Sequence, residues 1–251
     1  MICFGATDKG LVREINQDCF AQCTLSETVL YAVLCDGMGG ENGGNVASEL
    51  AVRGICRELS GALDDCMPDS EVERLIQNAV AHANTVVHTA AASTKELRGM
   101  GTTVVVFVAI GSRAFIAYAG DSRAYLLRGE TLSQISHDHT VVQMLIESGE
   151  ITPDEALVHP QRHYITRAVG VERALETELV RLDLQPEDCV LLCSDGLYNY
   201  AAESRLPELM QQALQEGSAQ CLIDEANAGG GGDNITAVLI ANHRTEDRTD
   251  G

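Results

Sequence analysis

Four aspartates in the 251-residue chain, Asp36, Asp121, Asp195 and Asp233, each stand beside glycine, and three of them directly follow or precede an apolar run of strand type. Alone, Asp36-Gly37 reads as a turn dipeptide. Recurrence of the same setting at four ordered positions changes that reading. If the strands pack together, their ends bring the carboxylates into one cluster, where like charges oppose one another's ionisation. Divalent cations remove the conflict, and oxygen-only donors select Mg2+ or Mn2+ over zinc. Two such ions roughly 3.5–4 Å apart can share a water, lower its pKa and direct it at phosphorus. The chemistry implied is hydrolysis of a phosphate ester.

Charge bounds the partners. With 17 Lys plus Arg against 37 Asp plus Glu, the formal net charge is −20, which repels nucleic acid and anionic membranes, so neither is expected as a partner. An anionic substrate then needs a local positive site, from bound cations and one or two arginines. The longest apolar run, residues 104–110, is far shorter than the ~18 residues of a membrane span. The first residues lack the basic start and apolar segment of a signal peptide, which points to the cytoplasm. Nine cysteines form no CxxC pair, and several, such as Cys35 and Cys193, sit within apolar runs, as buried reduced thiols do.

The elements that must position the aspartates follow from periodicity. Short strands are expected over residues 5–13 and 19–25, with a buried strand over 29–35 that ends at Asp36. Helices are expected over 44–59 and from a capping box at Ser70-Glu71-Val72-Glu73. Residues 102–135 read as an antiparallel meander. Residues 137–170 form a polar insertion with a short helix capped by Asp138 and another opened by Thr152-Pro153. Strands follow over 178–184, 189–193 and 235–241, with helices over 203–215 and 218–228 between the last two, and a polar tail over 242–251. With no linker in view, one domain spanning 1–241 is expected, of α+β class, with sheets central and helices outside.

Asp36-Gly37-Met38-Gly39-Gly40, Gly99-Met100-Gly101-Thr102-Thr103, Gly120-Asp121-Ser122-Arg123, Ser194-Asp195-Gly196 and Gly232-Asp233-Asn234, in this order and spacing, resemble the bacterial branch of the metal-dependent type 2C protein phosphatases. The resemblance implies a central β-sandwich of two antiparallel sheets flanked by pairs of helices, with 137–170 as a flap. It implies dephosphorylation of phosphoserine and phosphothreonine in proteins by a metal-bridging hydroxide, with two Mg2+ or Mn2+ ions and room for a third. Asp36 is then the carboxylate shared by both metals, Gly37 a ligand through its carbonyl, and Asp195 and Asp233 the remaining ligands of the second metal. Asp121 with Asp195 is similar to the pair for the third ion, Asp18 reaches a metal through water, and Arg13 grips the substrate phosphate. A monomer acting on phosphoproteins, opposite a serine/threonine kinase and its targets, completes what the resemblance implies.

Two departures stand out. Gln17 occupies a position where many relatives carry Glu. Neither Met38 nor Glu41 is the histidine that animal or bacterial relatives place there, which leaves the general acid open between His159, His163 and water. These departures motivate the alternative of a weak or silent phosphoprotein-binding relative. Thr102 and Thr103 read as the start of a buried strand, and Arg123 as structural.

Overall fold

The computed structural model describes residues 1–242, apart from the side chains of Glu41 and Asn42; the expected tail beyond Asn242 and the position held by Glu41 therefore lie outside the described residues. In chain order the strands are β1 (Ile2–Asp8), β2 (Asp18–Thr24), β3 (Val29–Met38), β4 (Gly101–Thr102), β5 (Val104–Ile110), β6 (Arg113–Ala119), β7 (Arg123–Arg128), β8 (Thr131–Gln134), β9 (Glu178–Asp183), β10 (Cys189–Cys193) and β11 (Ile235–Ala241). The helices are α1 (Gly40–Ala62), α2 (Asp69–Ser93), α3 (Val141–Glu147), α4 (Pro153–Leu157), α5 (Asp195–Tyr198), α6 (Leu206–Glu216) and α7 (Gln220–Ala228). Two antiparallel sheets result, one ordered β1-β11-β10-β7-β8, the other β2-β3-β5-β6-β9 with β4 appended to β3. Among the described residues no helix is long and apolar enough to cross a membrane.

Alternation along β3 explains the layering. Val29, Tyr31, Val33 and Cys35 pack towards α1 and α2, while Leu30, Ala32 and Leu34 pack with Val190, Leu192 and Val238 of the opposite sheet. Each fully buried aliphatic side chain contributes ~1.5–3 kcal/mol, so the strand is fixed on both faces. α6 and α7 cover the outer face of the first sheet. The expected α+β sandwich flanked by helix pairs is the observed architecture.

Several local expectations need correction. β3 does not stop before Asp36; it runs on to Met38, because Gly37 and Met38 pair with Thr102 and Gly101 of β4. The first strand lies earlier than expected, since β1 pairs with β11 from Ile2 to Asp8, leaving residues 9–17 as a loop. Residues 102–135 are not one meander. β5 and β6 belong to one sheet and β7 and β8 to the other, so Gly120-Asp121-Ser122 is where the chain changes sheets. α2 has no side-chain cap and starts after Pro68, whose fixed φ suits a helix entrance. α3 is capped by Thr140 rather than Asp138, because Arg123 holds the Asp138 carboxylate. Asn242, expected in a frayed tail, is anchored by Asp188 and Gln185.

The insertion is tied down at both ends. Thr102 and Val169 exchange backbone hydrogen bonds of 3.0 and 2.8 Å, and buried Asn84 of α2 accepts from Gly170 N at 2.7 Å and donates to Glu172 O at 3.0 Å. At the other end His139 N donates to Gly120 O, and its ring Nδ1 accepts from Gly120 N at 3.1 Å.

Candidate active site

A cleft of about 860 Å³ opens at one end of the sandwich, lined by Asp36, Gly37, Asp121, Asp195, Asp233 and Arg13. Each arrives by a different route. The β2–β3 register sets Asp18 directly opposite Asp36, with Asp18 buried behind the cleft. Asp36 continues the alternation that points Leu30, Ala32 and Leu34 between the sheets. Its backbone is clamped by both threonines of the Gly-Thr-Thr segment: Asp36 N donates to Thr103 Oγ1 at 2.9 Å, and Thr103 N and Thr102 Oγ1 each donate to Asp36 O at 2.8 Å. Contrary to expectation the two threonines do not start a strand: Thr102 ends β4 and Thr103 links it to β5, and together they position Asp36. Gly37 admits no side chain, since a Cβ there would lie 2.1 Å from Gly44 O.

Asp121 occupies the sheet crossing, where the Tyr198 hydroxyl donates to its carbonyl at 3.0 Å. Asp195 opens α5, a four-residue helix without a detectable sequence period. Gly196 behind it packs so tightly that a Cβ would stand 1.9 Å from Asn234 O. Asp233 Oδ2 accepts from Arg13 Nη2 at 2.7 Å. Arg13 keeps its other donors without partners among the described residues, facing the cleft it lines. Arg123 has the structural role expected, with two nitrogens on Asp138 and its guanidinium 3.6 Å from the centre of the Tyr198 ring.

Electrostatics report what this crowding costs. Burial, then neighbouring Asp18, Asp195 and Asp121, pushes the Asp36 carboxyl well above its ordinary range. Asp195 is raised by burial and by Asp121 and Asp233. Asp121 is raised to about 6 by burial and Asp138. Asp18 is raised to about 6, chiefly by burial, with Ser194 and Thr236 partly offsetting it. These groups resist carrying four charges together unless cations enter.

The donor set fits hard cations. Asp18 Oδ2 accepts from Ser194 Oγ at 2.7 Å and Thr236 Oγ1 at 2.6 Å, whereas its Oδ1 is buried without a hydrogen-bond partner among the described residues. An orphaned carboxylate oxygen beside Asp36 is what a metal-associated water would satisfy. Among the described residues no three His, Cys, Asp or Glu side chains form a preassembled ligand group, and Asp233 is turned to Arg13.

Of the two flap histidines, His163 lines the cleft and His159 does not; the His159 ring accepts from Gln161 N. Gln17 donates Nε2–H to Gly40 O at 2.9 Å, a bond that a glutamate could not make, so it braces the glycine turn after Asp36. Sequence reasoning missed Asn234, which is buried and donates to Lys9 O and Ile15 O while accepting from Gln17 N. Its position directly after Asp233 was the available signal.

Two antiparallel sheets that deliver four aspartates and one arginine to a single cleft, with Asp18 buried behind it, define a hard-cation site suited to phosphate. Comparison with known proteins agrees: the protein phosphatase 2C family model matches residues 12–225, and the chain belongs to that family. It is 35% identical over 242 residues to the serine/threonine phosphatase stp of Listeria monocytogenes, covering 96% of this chain and 95% of that one. The serine/threonine phosphatase of S. agalactiae superposes with a TM-score of 0.88 at 30% identity, over 95% of this chain and 98% of that one. The catalytic domain of the serine/threonine protein phosphatase PstP in complex with 2 manganese ions gives 0.80 at 35% identity, over 95% and 96%.

Proposed function

We propose that this chain is a metal-dependent phosphatase that hydrolyses phosphoserine and phosphothreonine in proteins. The observation that carries the reading is the convergence of Asp36, Asp121, Asp195 and Asp233 beside Arg13 in one cleft. Two Mg2+ or Mn2+ ions would be held by Asp36, the Gly37 carbonyl, Asp195 and Asp233, with Asp18 acting through water and Asp121 with Asp195 available to a third. Such ions supply Lewis acidity, lowering the pKa of water and offsetting phosphate charge.

The chain's own residues do the rest. Arg13 is permanently charged, and its planar fork can take two phosphate oxygens at once. Thr102 and Thr103 hold Asp36 in place, and Tyr198 and Arg123 hold the Asp121 turn. Of the flap residues that line the cleft, His163 and Ile165, only His163 could assist the leaving hydroxyl, the alternative acid being water. Residues 1–241 act as one catalytic domain with 137–170 as its flap, and the protein works as a cytoplasmic monomer opposite a serine/threonine kinase and its targets.

A metal titration tests the reading. Turnover of an aryl phosphate and of a phosphothreonine peptide should require added Mn2+ or Mg2+, and both should collapse in Asp36→Asn and Asp195→Asn. Calorimetry should show weakened Mn2+ binding in the same variants. Metal-independent turnover that survives both substitutions would overturn it.

A further inference from the structure

The loop between β1 and β2 is held rigidly yet exposes what it should hide. Asn234 donates to Lys9 O at 3.0 Å and to Ile15 O at 2.9 Å, Leu11 N donates to Gly231 O at 2.7 Å, and Asn16 Nδ2 donates to Thr7 Oγ1 at 2.9 Å. Within this anchored frame Leu11 and Val12 are each 68% exposed and Ile15 43%. Mobile loops expose apolar side chains in passing, but a pinned one presents them permanently, as binding surfaces do. Arg13 lies between them, and Ile15 and Glu14 both line the cleft. Glu14 is exposed and has no hydrogen-bond or ion-pair partner among the described residues. The loop's other basic residue, Lys9, does not line the cleft.

We propose that residues 11–15 form the platform on which a protein substrate is read, selecting phosphorylated segments with a basic residue set against Glu14 and an apolar residue set against Val12 and Ile15. The proposal rests on the phosphatase reading above and names its substrate class. Charge complementarity argues for it. Among the described residues Arg13 is the one arginine or lysine that lines the cleft, against five acidic residues, Glu14 included, and the chain as a whole carries −20. With Arg13 paired to Asp233 or engaged with the phosphate, Glu14 has no cationic partner among the described residues and stands as an uncompensated negative charge at the rim. A Lys or Arg flank neutralises it, whereas an acidic flank meets repulsion from Glu14 and from the body of the protein. The apolar contacts add affinity by removing Val12 and Ile15 from water.

The test uses matched phosphothreonine peptides with Lys or Glu flanks, and with Leu or Ser flanks, at saturating Mn2+. The wild-type protein should favour the Lys-flanked peptide in kcat/KM by about threefold to fivefold at low salt, the range of one exposed ion pair, and 0.5 M salt should flatten the difference by screening, the Debye length at 1 M being about 3 Å. Glu14→Gln should abolish the preference and Glu14→Lys should invert it. Val12→Ser combined with Ile15→Ser should raise KM for the Leu-flanked peptide by about fivefold and leave the Ser-flanked peptide near its wild-type value. An aryl phosphate, which has no flanks, is the control for the chemistry. A preference unchanged in Glu14→Gln, a wild-type preference for acidic flanks, or a Leu-flank KM unmoved by the double substitution would each overturn the proposal. Failure of the wild-type protein to hydrolyse the aryl phosphate with Mn2+ would instead refute the phosphatase reading, and the platform with it.

Discussion

Replacing Asp18 by Asn should move stability and metal affinity in opposite directions. Asp18 is buried, its Oδ2 is satisfied by Ser194 and Thr236, and its Oδ1 has no partner among the described residues. Burial holds its pKa near 6 instead of 3.8, so in the metal-free protein at pH 7.5 the ionised group opposes folding by on the order of 3 kcal/mol. An asparagine keeps one oxygen to accept both hydroxyls and turns an amide donor towards Asp36. After allowance for imperfect geometry, Asp18→Asn should stabilise the metal-free protein by ~1–2 kcal/mol, or ~3–6 °C in Tm. Because a raised carboxyl pKa means the folded state holds more protons than the unfolded one between pH 3.8 and about 6, stability falls as pH rises through that window and recovers as pH falls. The wild-type protein in EDTA should therefore melt higher at pH 5 than at pH 7.5, and the variant should show a shallower slope. Mn2+ affinity should drop by about tenfold to a hundredfold, as for other carboxylates that act through a ligand or its water. Scanning calorimetry with EDTA and titration calorimetry with Mn2+ give the two readouts. A variant that melts lower without metal and binds Mn2+ as tightly as wild type would refute the reasoning.

Other substitutions separate the supports of the site. Thr103→Val removes the acceptor for Asp36 N at nearly constant volume; it should cost ~1–3 kcal/mol in urea unfolding and weaken Mn2+ binding measured by calorimetry. Asn234→Ala frees the loop that carries Arg13 by deleting bonds to Lys9, Ile15 and Gln17. It should cost ~2–3 kcal/mol and raise the phosphopeptide KM by a larger factor than it lowers kcat. Arg123→Lys forfeits the forked contact with Asp138 and the stack on Tyr198. A loss of ~1–3 kcal/mol is expected, visible as a lower urea midpoint.

What could be read from the chain was whatever the core dictated locally. β10 and β11 fall on the expected residues because strands buried on both faces appear as continuous apolar runs. The aspartates were legible through their glycine neighbours. Less visible was how they are held. Asp36 looked like a strand terminus because β4, which pairs with the Gly37 and Met38 that follow it, is two residues long and gives no periodic signal. The crossing at Gly120-Asp121-Ser122 looked like a hairpin turn, since local sequence encodes the bend and only the packing of β6 and β7 into different sheets reveals its destination. The Arg13–Asp233 pair joins residues 220 positions apart, and the bonds by which Asn234 anchors the Arg13 loop to Lys9 and Ile15 span 225 and 219. Such contacts leave no pattern within a window of sequence.

The same geometry explains why the acidic cluster persists. Side chains on mobile loops would splay apart and let water separate their charges. Here Asp18 and Asp36 are locked by strand register, Asp121 by the sheet crossing and Tyr198, and Asp195 by a helix start pressed against Asn234 through Gly196. With relaxation blocked, only two things lower the repulsion: protons, which the raised pKa values of Asp18 and Asp121 already register, or cations. Arg13 supplies a single positive charge, to Asp233. The remaining deficit is the driving force for divalent cation binding, and the surrounding core, by refusing to yield, converts packing energy into metal affinity.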